Sequence, residues 1–251
     1  MVAPAIPFAT WVAVLARSLA IQGSWNYENL IGNGMGFALE PILRRLPGGA
    51  EGEPFRAAIA RQSAYFNAHP YLASVAIGAL ARVEFDAEAP ARIERFRTAL
   101  AGPLGAAGDR LVWAAWLPTC AVFALTLFGA GVGPLGVVLG FVVPYNIGHL
   151  GLRIWGLRVG WQHGLRVATA LNTPILRQGP TWIGRVGAFL AGVALPLLVA
   201  RVVGTAHLPQ AAALGAAAAG ALALIAFHGR VEGWRVALGA LVLLALYSVI
   251  R

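Results

Sequence analysis

The chain has no lysine, one cysteine (Cys120) and only ten acidic residues among 251, set against nineteen arginines. A single cysteine excludes an internal disulfide and any cysteine-based metal cluster. Lying in an apolar run, Cys120 reads as a small core residue. The absence of lysine accompanies an Ala-, Gly- and Leu-rich composition and carries no functional weight. Charge of either sign is scarce, at 12% of residues, whereas 59% are hydrophobic and the mean hydropathy is +0.71. A soluble domain does not have this balance, so the chain reads as an all-α integral membrane protein. Also missing are a Gly-x-Ser-x-Gly elbow, a His-Glu-x-x-His pair and a Gly-x-x-x-x-Gly-Lys loop, which leaves an embedded hydrolase, metalloenzyme or nucleotidase with little to work with. No cofactor or metal site is expected. The net charge of +9 does not point to nucleic acid, because the arginines lie singly or in pairs between apolar segments and form no basic face with interleaved aromatics.

What charge there is divides the chain. Residues 1–110 hold ten arginines and nine acids; the remainder holds nine arginines and one acid, Glu232. Leu111 to Leu152 carries no formal charge, enough for two spans of about 20 residues, and Gly129-Ala130-Gly131-Val132-Gly133-Pro134 divides it into a hairpin. Arg153, Arg158, Arg166, Arg177 and Arg185 follow without an acid, as expected of a connection on the cytoplasmic side. The expected organisation is therefore a region with broken or re-entrant helices and polar motifs at 1–110, a transmembrane hairpin at 111–152, an Arg-rich connection at 153–185 and further membrane helices at 186–251. Those last apolar segments fall at about 186–200, 211–227 and 236–250.

The first region is broken more often than the rest. Met1 to Ala16 is apolar without the basic start of a secretory signal, and reads as a retained first helix. Pro41, Pro47-Gly48-Gly49 and Pro54 interrupt the chain before a helix expected over Phe55–Phe66. Tyr71–Ala81 is too short to cross about 30 Å of hydrocarbon and suits a re-entrant or partner-covered helix. Glu84–Arg97 has the charge pattern of a solvated helix or linker at the membrane surface.

Polar groups are costly in hydrocarbon unless they meet partners or a hydrated cavity. The run Gln22-Gly23-Ser24-Trp25-Asn26-Tyr27-Glu28 is therefore a candidate site for a polar solute, with Asn67 and Asp109 as further candidates. Amides both donate and accept, carboxylates accept from hydroxyls, and an indole can cover an apolar sugar face. Each residue also has a purely structural role open to it. Gln22 and Asn26, four apart, would share a helix face and satisfy interhelical hydrogen bonds. Glu28 would pair with Arg17 or with a partner's arginine. Asn67 would cap or turn the chain before Pro70. Asp109, after Gly108 and before an apolar helix, would be an N-cap. His69 reads as a packed or turn histidine, and Gly102-Pro103 as the shaper of a re-entrant turn.

Taken in order, Arg17-Ser18, the Gln22–Glu28 run, Gly36-Phe37, Phe66-Asn67-Ala68-His69-Pro70-Tyr71, Gly102-Pro103-Leu104-Gly105-Ala106-Ala107-Gly108-Asp109-Arg110-Leu111-Val112-Trp113, Tyr145-Asn146, Arg153, Trp155-Gly156 and Gly160 resemble enzyme IID of the mannose/fructose/sorbose phosphotransferase family. The resemblance covers about Ala16 to Gly164. It implies the IIC/IID permease fold with broken helices, a bacterial inner-membrane location with several passes, and a permease subunit that binds and moves a hexose-type sugar with a IIC partner. Soluble IIA and IIB proteins would supply phosphate and carry the phosphorylated histidines, so this chain has no catalytic residue of its own. IIC–IID heterodimers would assemble as a multimer. Substrate contacts would fall to Gln22, Trp25, Asn26, Glu28, Asn67 and Asp109. A second reading is a regulatory or anchoring paralogue that recruits IIA and IIB without moving sugar. It rests on Arg82-Val83-Glu84-Phe85, where the family places paired glutamates, and on a shortened C-terminal third.

Overall fold

A computed structural model of the chain describes residues 5–203. Among them every regular element is helical: α1 (Phe8–Leu19), α2 (Gly32–Leu43), α3 (Glu53–Gln62), α4 (Ala73–Phe85), α5 (Pro90–Gly108), a π-helical stretch (Asp109–Trp116), α6 (Leu117–Gly129), α7 (Pro134–His163), α8 (Val167–Leu171) and α9 (Pro174–Val203). Three continuous helical stretches are long and apolar enough to cross a bilayer: Pro90–Gly129, Pro134–Leu171 and Pro174–Val202. The first, of 40 residues, runs about 60 Å, and its charges all lie between Arg92 and Arg110, leaving Leu111–Gly129 uncharged and suited to hydrocarbon. Of the expected C-terminal helices, α9 covers the first; those at 211–227 and 236–250 lie outside the described residues.

The described residues form two compact units, one of residues 5–121 with 141–187 and the other of residues 122–140 with 188–203. Within the second, the chain turns at 130–133, where Gly131 takes φ +89°, and the Arg201 guanidinium lies 4.6 Å over the Phe128 ring.

The first unit is organised around α4. Its residues Ala73 to Ala81 are all buried, and a helix apolar on every side must be enclosed. The chain encloses it with its own elements: α2, α5 and the turn after α7 pack on it, and Gly156 and Gly160 of α7 approach its backbone directly. The short apolar segment expected to be re-entrant or partner-covered is thus a core helix of this chain.

Other expectations are corrected by the same packing. Pro41 lies inside α2 without ending it, and the break comes at 44–52, where Gly48 takes φ +80°. The helix expected over Phe55–Phe66 ends at Gln62. Glu84–Arg97 is exposed over most of residues 87–95 and enters α5 at Pro90, as a solvated helix would, but the charges at its two ends are buried. The Glu84 carboxylate is buried and takes two hydrogen bonds from Arg61, at 3.1 and 2.7 Å, and one from Gln62 at 2.7 Å. Arg97, also buried, donates to the carbonyl of Gln62, the last residue of α3, and to those of Ala64 and Tyr65 in the loop that follows. The expected connection over 153–185 is mostly helical, since α7 runs to His163 and α9 begins at Pro174, and Arg153 is buried within α7.

Candidate functional site

Helix α1 stops at Leu19, and the chain descends through tight turns in which the N–H of Gly23 donates to Ala20 and that of Trp25 to Gln22. Gln22 and Asn26 therefore do not share a helix face. Asn26 organises the next turn: its Oδ1 accepts from the backbone N–H of Glu28 at 3.0 Å and of Asn29 at 2.9 Å, while its Nδ2 donates to the Ser24 carbonyl at 3.1 Å. Such an Asx turn replaces backbone partners that the loop lacks. Leu30 adopts φ +51°, and the loop is stitched to the chain after α3, with Ile31 N–H donating to the Phe66 carbonyl and Phe66 N–H to that of Asn29. A bulky residue in the left-handed region is uncommon, and here two inter-segment hydrogen bonds hold it.

That stitching brings the sequence blocks together. A cavity of about 480 Å³ is lined by Gln22 and Trp25 from the first block, Asn67, His69 and Pro70 from the second, and Gly102, Asp109 and Trp113 from the third. The side chains of Gln22, Asn67 and Asp109 make no hydrogen bond or ion pair within the described residues, so their polar ends are unspent. The walls hold two amides that donate and accept, one carboxylate that accepts, and two indoles.

Two of the nominated residues lie elsewhere. Asn26 and Glu28 do not line the cavity; the Asn26 amide is consumed by its turn, and Glu28 is exposed. Glu28 does not pair with Arg17, which instead bonds Glu40 at 2.6 Å and lies over the Phe37 ring. Gly102 and Pro103 sit inside α5, so they form no re-entrant turn; Pro103 removes one backbone donor from the helix beside the cavity. Asp109 is no N-cap either. The helix continues through it with φ −60°, ψ −44°, and it opens the π-helical stretch. Stretches of π-helix are rare and accompany functional sites. This one presents Asp109 and Trp113 to the same cavity.

His69 is buried against Gly108, where an added Cβ would come within 2.2 Å of it. Its Nδ1 accepts the N–H of Tyr71 at 3.2 Å, which puts the proton of the neutral ring on Nε2; that atom is buried and has no hydrogen-bond partner. Burial, followed by the nearby Arg153 and His149, pushes its pKa down to about 4. Trp113 and Tyr71 pack on its ring at 4.8 and 5.1 Å. The sequence offered a signal for Trp113 in its four-residue spacing from Asp109, but none for the aromatic group that Tyr71 forms with Tyr145 and His149 of α7.

The family model for the "PTS system mannose/fructose/sorbose family IID component" matches residues 7–213. The mannose-specific EIID component of Escherichia coli strain K12 is 29% identical, over 75% of this chain and 70% of that one. The sorbose-specific EIID component of Klebsiella pneumoniae is 28% identical, over 72% and 67%, and the fructose permease IID component of Bacillus subtilis is 25% identical, over 76% and 72%. In fold, the chain resembles one in a cryo-electron-microscopy structure of the mannose transporter ManYZ with microcin E492, with a TM-score of 0.58 and 24% identity over 97% of both chains. A second membrane-protein structure gives a TM-score of 0.69 at 21% identity over 98% of both. With some four-fifths of its length matched by one family model, and the motif blocks meeting at one cavity, the chain belongs to the mannose/fructose/sorbose family of phosphotransferase-system IID components.

Proposed function

We propose that this IID component binds a hexose-type sugar in the cavity between the Gln22–Trp25 loop, the Asn67–Pro70 segment and the Asp109–Trp113 stretch. The observation that carries the reading is the gathering there of three polar side chains, Gln22, Asn67 and Asp109, that make no hydrogen bond or ion pair among the described residues, beside the indoles of Trp25 and Trp113. A neutral sugar uses such a set well: amides pair with adjacent hydroxyls, the carboxylate accepts from a third, and an indole covers an apolar ring face. Asn26 shapes the loop and Glu28 stays outside the contact set. The relatives' names, mannose, sorbose and fructose, delimit the class of sugar.

The chain works in the bacterial inner membrane with a IIC subunit, as a multimer of IIC–IID heterodimers, while soluble IIA and IIB proteins bring phosphate. Alternating access of the loaded site requires two packed arrangements of the same segments. The Arg82 region that favoured a regulatory paralogue is accommodated by an ion pair from Arg82 to Asp86 at 2.9 Å. The test is binding of labelled mannose, fructose, sorbose and N-acetylglucosamine to the purified complex with IIC. Saturable binding that Asn67→Ala and Asp109→Ala both abolish, in a complex that still assembles, supports the reading. A stable complex that binds none of these sugars yet retains a IIB protein transfers the function to the regulatory alternative.

A further inference from the structure

Arg153 is 2% exposed on a helix long and apolar enough to cross a bilayer, and no carboxylate pairs with it among the described residues. A charge in that setting is costly unless its hydrogen bonds are met. Its partners are all neutral. Nη1–H donates to the backbone carbonyl of Ser18, Nε–H donates to His149 Nε2 at 2.8 Å, and the guanidinium lies 5.0 Å over the Tyr71 ring.

Two of these partners, Ser18 and Tyr71, stand just outside the cavity at the ends of the segments that wall it. Ser18 is in the last turn of α1, just before the chain enters the loop that carries Gln22 and Trp25. Tyr71 follows His69 and Pro70, donates its N–H to His69, and is stacked by His149 at 4.0 Å between ring centres. One planar side chain therefore reaches the base of the first wall and the anchor of the second at once. A lysine, with a single point of charge, does not reproduce that fork.

We propose that Arg153 is the positioning residue of the candidate sugar site, fixing the Gln22–Trp25 loop against the Asn67–Pro70 segment through Ser18 and Tyr71 without touching the sugar. The inference rests on the sugar-site reading, and its mechanical part is read separately from sugar binding. Buried hydrogen-bond networks can couple more strongly than their pairwise contacts, and loss of this fork is expected to loosen both segments together.

The experiment uses the complex with IIC carrying Arg153→Lys, Arg153→Met, His149→Gln or His149→Phe, with hydrogen exchange followed over residues 20–31 and 66–72 and sugar Kd measured in parallel. His149→Gln keeps an acceptor for Arg153, whereas His149→Phe keeps only the stacking on Tyr71. The expected result is a Kd near wild type for His149→Gln and raised by about tenfold for His149→Phe, Arg153→Lys and Arg153→Met. Exchange rises together in both segments wherever Kd rises. Unchanged exchange in Arg153→Met, or a rise in one segment alone, overturns the proposal, as does equal loss of affinity in His149→Gln and His149→Phe. If the wild-type complex binds no sugar, the functional reading fails, while a joint rise in exchange still establishes the coupling of the two walls and its absence removes it.

Discussion

Gly160 of α7 and Gly78 of α4 meet backbone to backbone. A Cβ added at Gly78 would stand 3.1 Å from the Gly160 Cα and 2.3 Å from the Leu157 carbonyl oxygen, and one added at Gly160 would stand 2.2 Å from the Val75 carbonyl oxygen. Small residues at helix crossings let backbones approach closely in membrane proteins, where lipid offers no hydrophobic incentive to bury larger ones.

Gly78→Ala and Gly160→Ala each drive a methyl group into backbone that cannot turn aside. Each is expected to cost about 3 kcal/mol, the upper part of the range for overpacking. In the purified complex this appears as a clear fall in thermal midpoint. Alanine at Gly102, inside α5 and with nothing within 4 Å of its added Cβ, should hold or slightly raise the midpoint, by the helix preference of about 0.5–1 kcal/mol. Equal midpoints for Gly78→Ala and Gly102→Ala would show that α4 and α7 do not cross this closely.

The buried Glu84 carboxylate ties α3 to α4 through Arg61 and Gln62. Removing one member of a buried pair strands the other charge, at a cost of about 3–5 kcal/mol. Glu84→Ala should therefore destabilise far more than Glu53→Ala, whose carboxylate lies on the surface 3.8 Å from Arg56 and belongs to the class of pairs worth about 0–1 kcal/mol. Thermal unfolding of the two variants side by side checks the difference. Similar small losses in both would mean that Glu84 is solvated.

Much of this was legible in the sequence because apolar length and charge scarcity are one-dimensional signals. The uncharged stretch 111–152 and the glycine-rich turn near 130 correspond to α6, α7 and the turn between them. The convergence of Gln22, Trp25, Asn67 and Asp109 was suggested only by the motif blocks, and the cavity supplies the physical account of it. Local rules failed where tertiary packing overrode them. Gly102-Pro103 and Gly108-Asp109 carry turn and cap chemistry, yet a helix passes straight through both. The charges of Glu84 and Arg97 suggested water because sequence shows charge but not the partner, here Arg61 for one and three carbonyls for the other. Arg153 was assigned to a cytoplasmic connection for the same reason, since nothing local announces the Ser18 carbonyl it reaches from 135 residues away.

Asn26 separates a turn role from a ligand role. Its Oδ1 accepts two backbone N–H groups, and an aspartate presents the same acceptor at the same reach. Asn26→Asp keeps the acceptor for both N–H groups but sets a carboxylate oxygen against the Ser24 carbonyl where Nδ2 donated, so it should fold and bind with a smaller loss than Asn26→Ala. Asn26→Ala leaves two donors without their partner and should cost about 1–2 kcal/mol, with Gln22 and Trp25 displaced and sugar affinity reduced. An Asn26→Asp complex as impaired as Asn26→Ala would point instead to an amide that touches the sugar.

His69 gives the first unit an acid sensitivity whose sign follows from its environment. Its folded-state pKa of about 4 lies below the ordinary histidine value of 6.5, so between those pH values the unfolded chain binds a proton that the folded chain refuses. Stability therefore rises with pH across this window, is fully present above about pH 6.5, and is lost as pH falls towards 4. The full span corresponds to about 3 kcal/mol. Carboxylates titrate in part of the same window, so the informative quantity is the difference from His69→Asn, which retains an acceptor for the Tyr71 N–H but cannot take a proton. Wild type and variant should diverge progressively below pH 6.5, with the wild type losing more. Above it, sugar affinity should be independent of pH as far as His69 is concerned, since the ring is already neutral. Parallel stability curves down to pH 4 would mean that His69 reaches water in the folded protein and that its Nε2 is not the buried, unpartnered donor found beside the cavity.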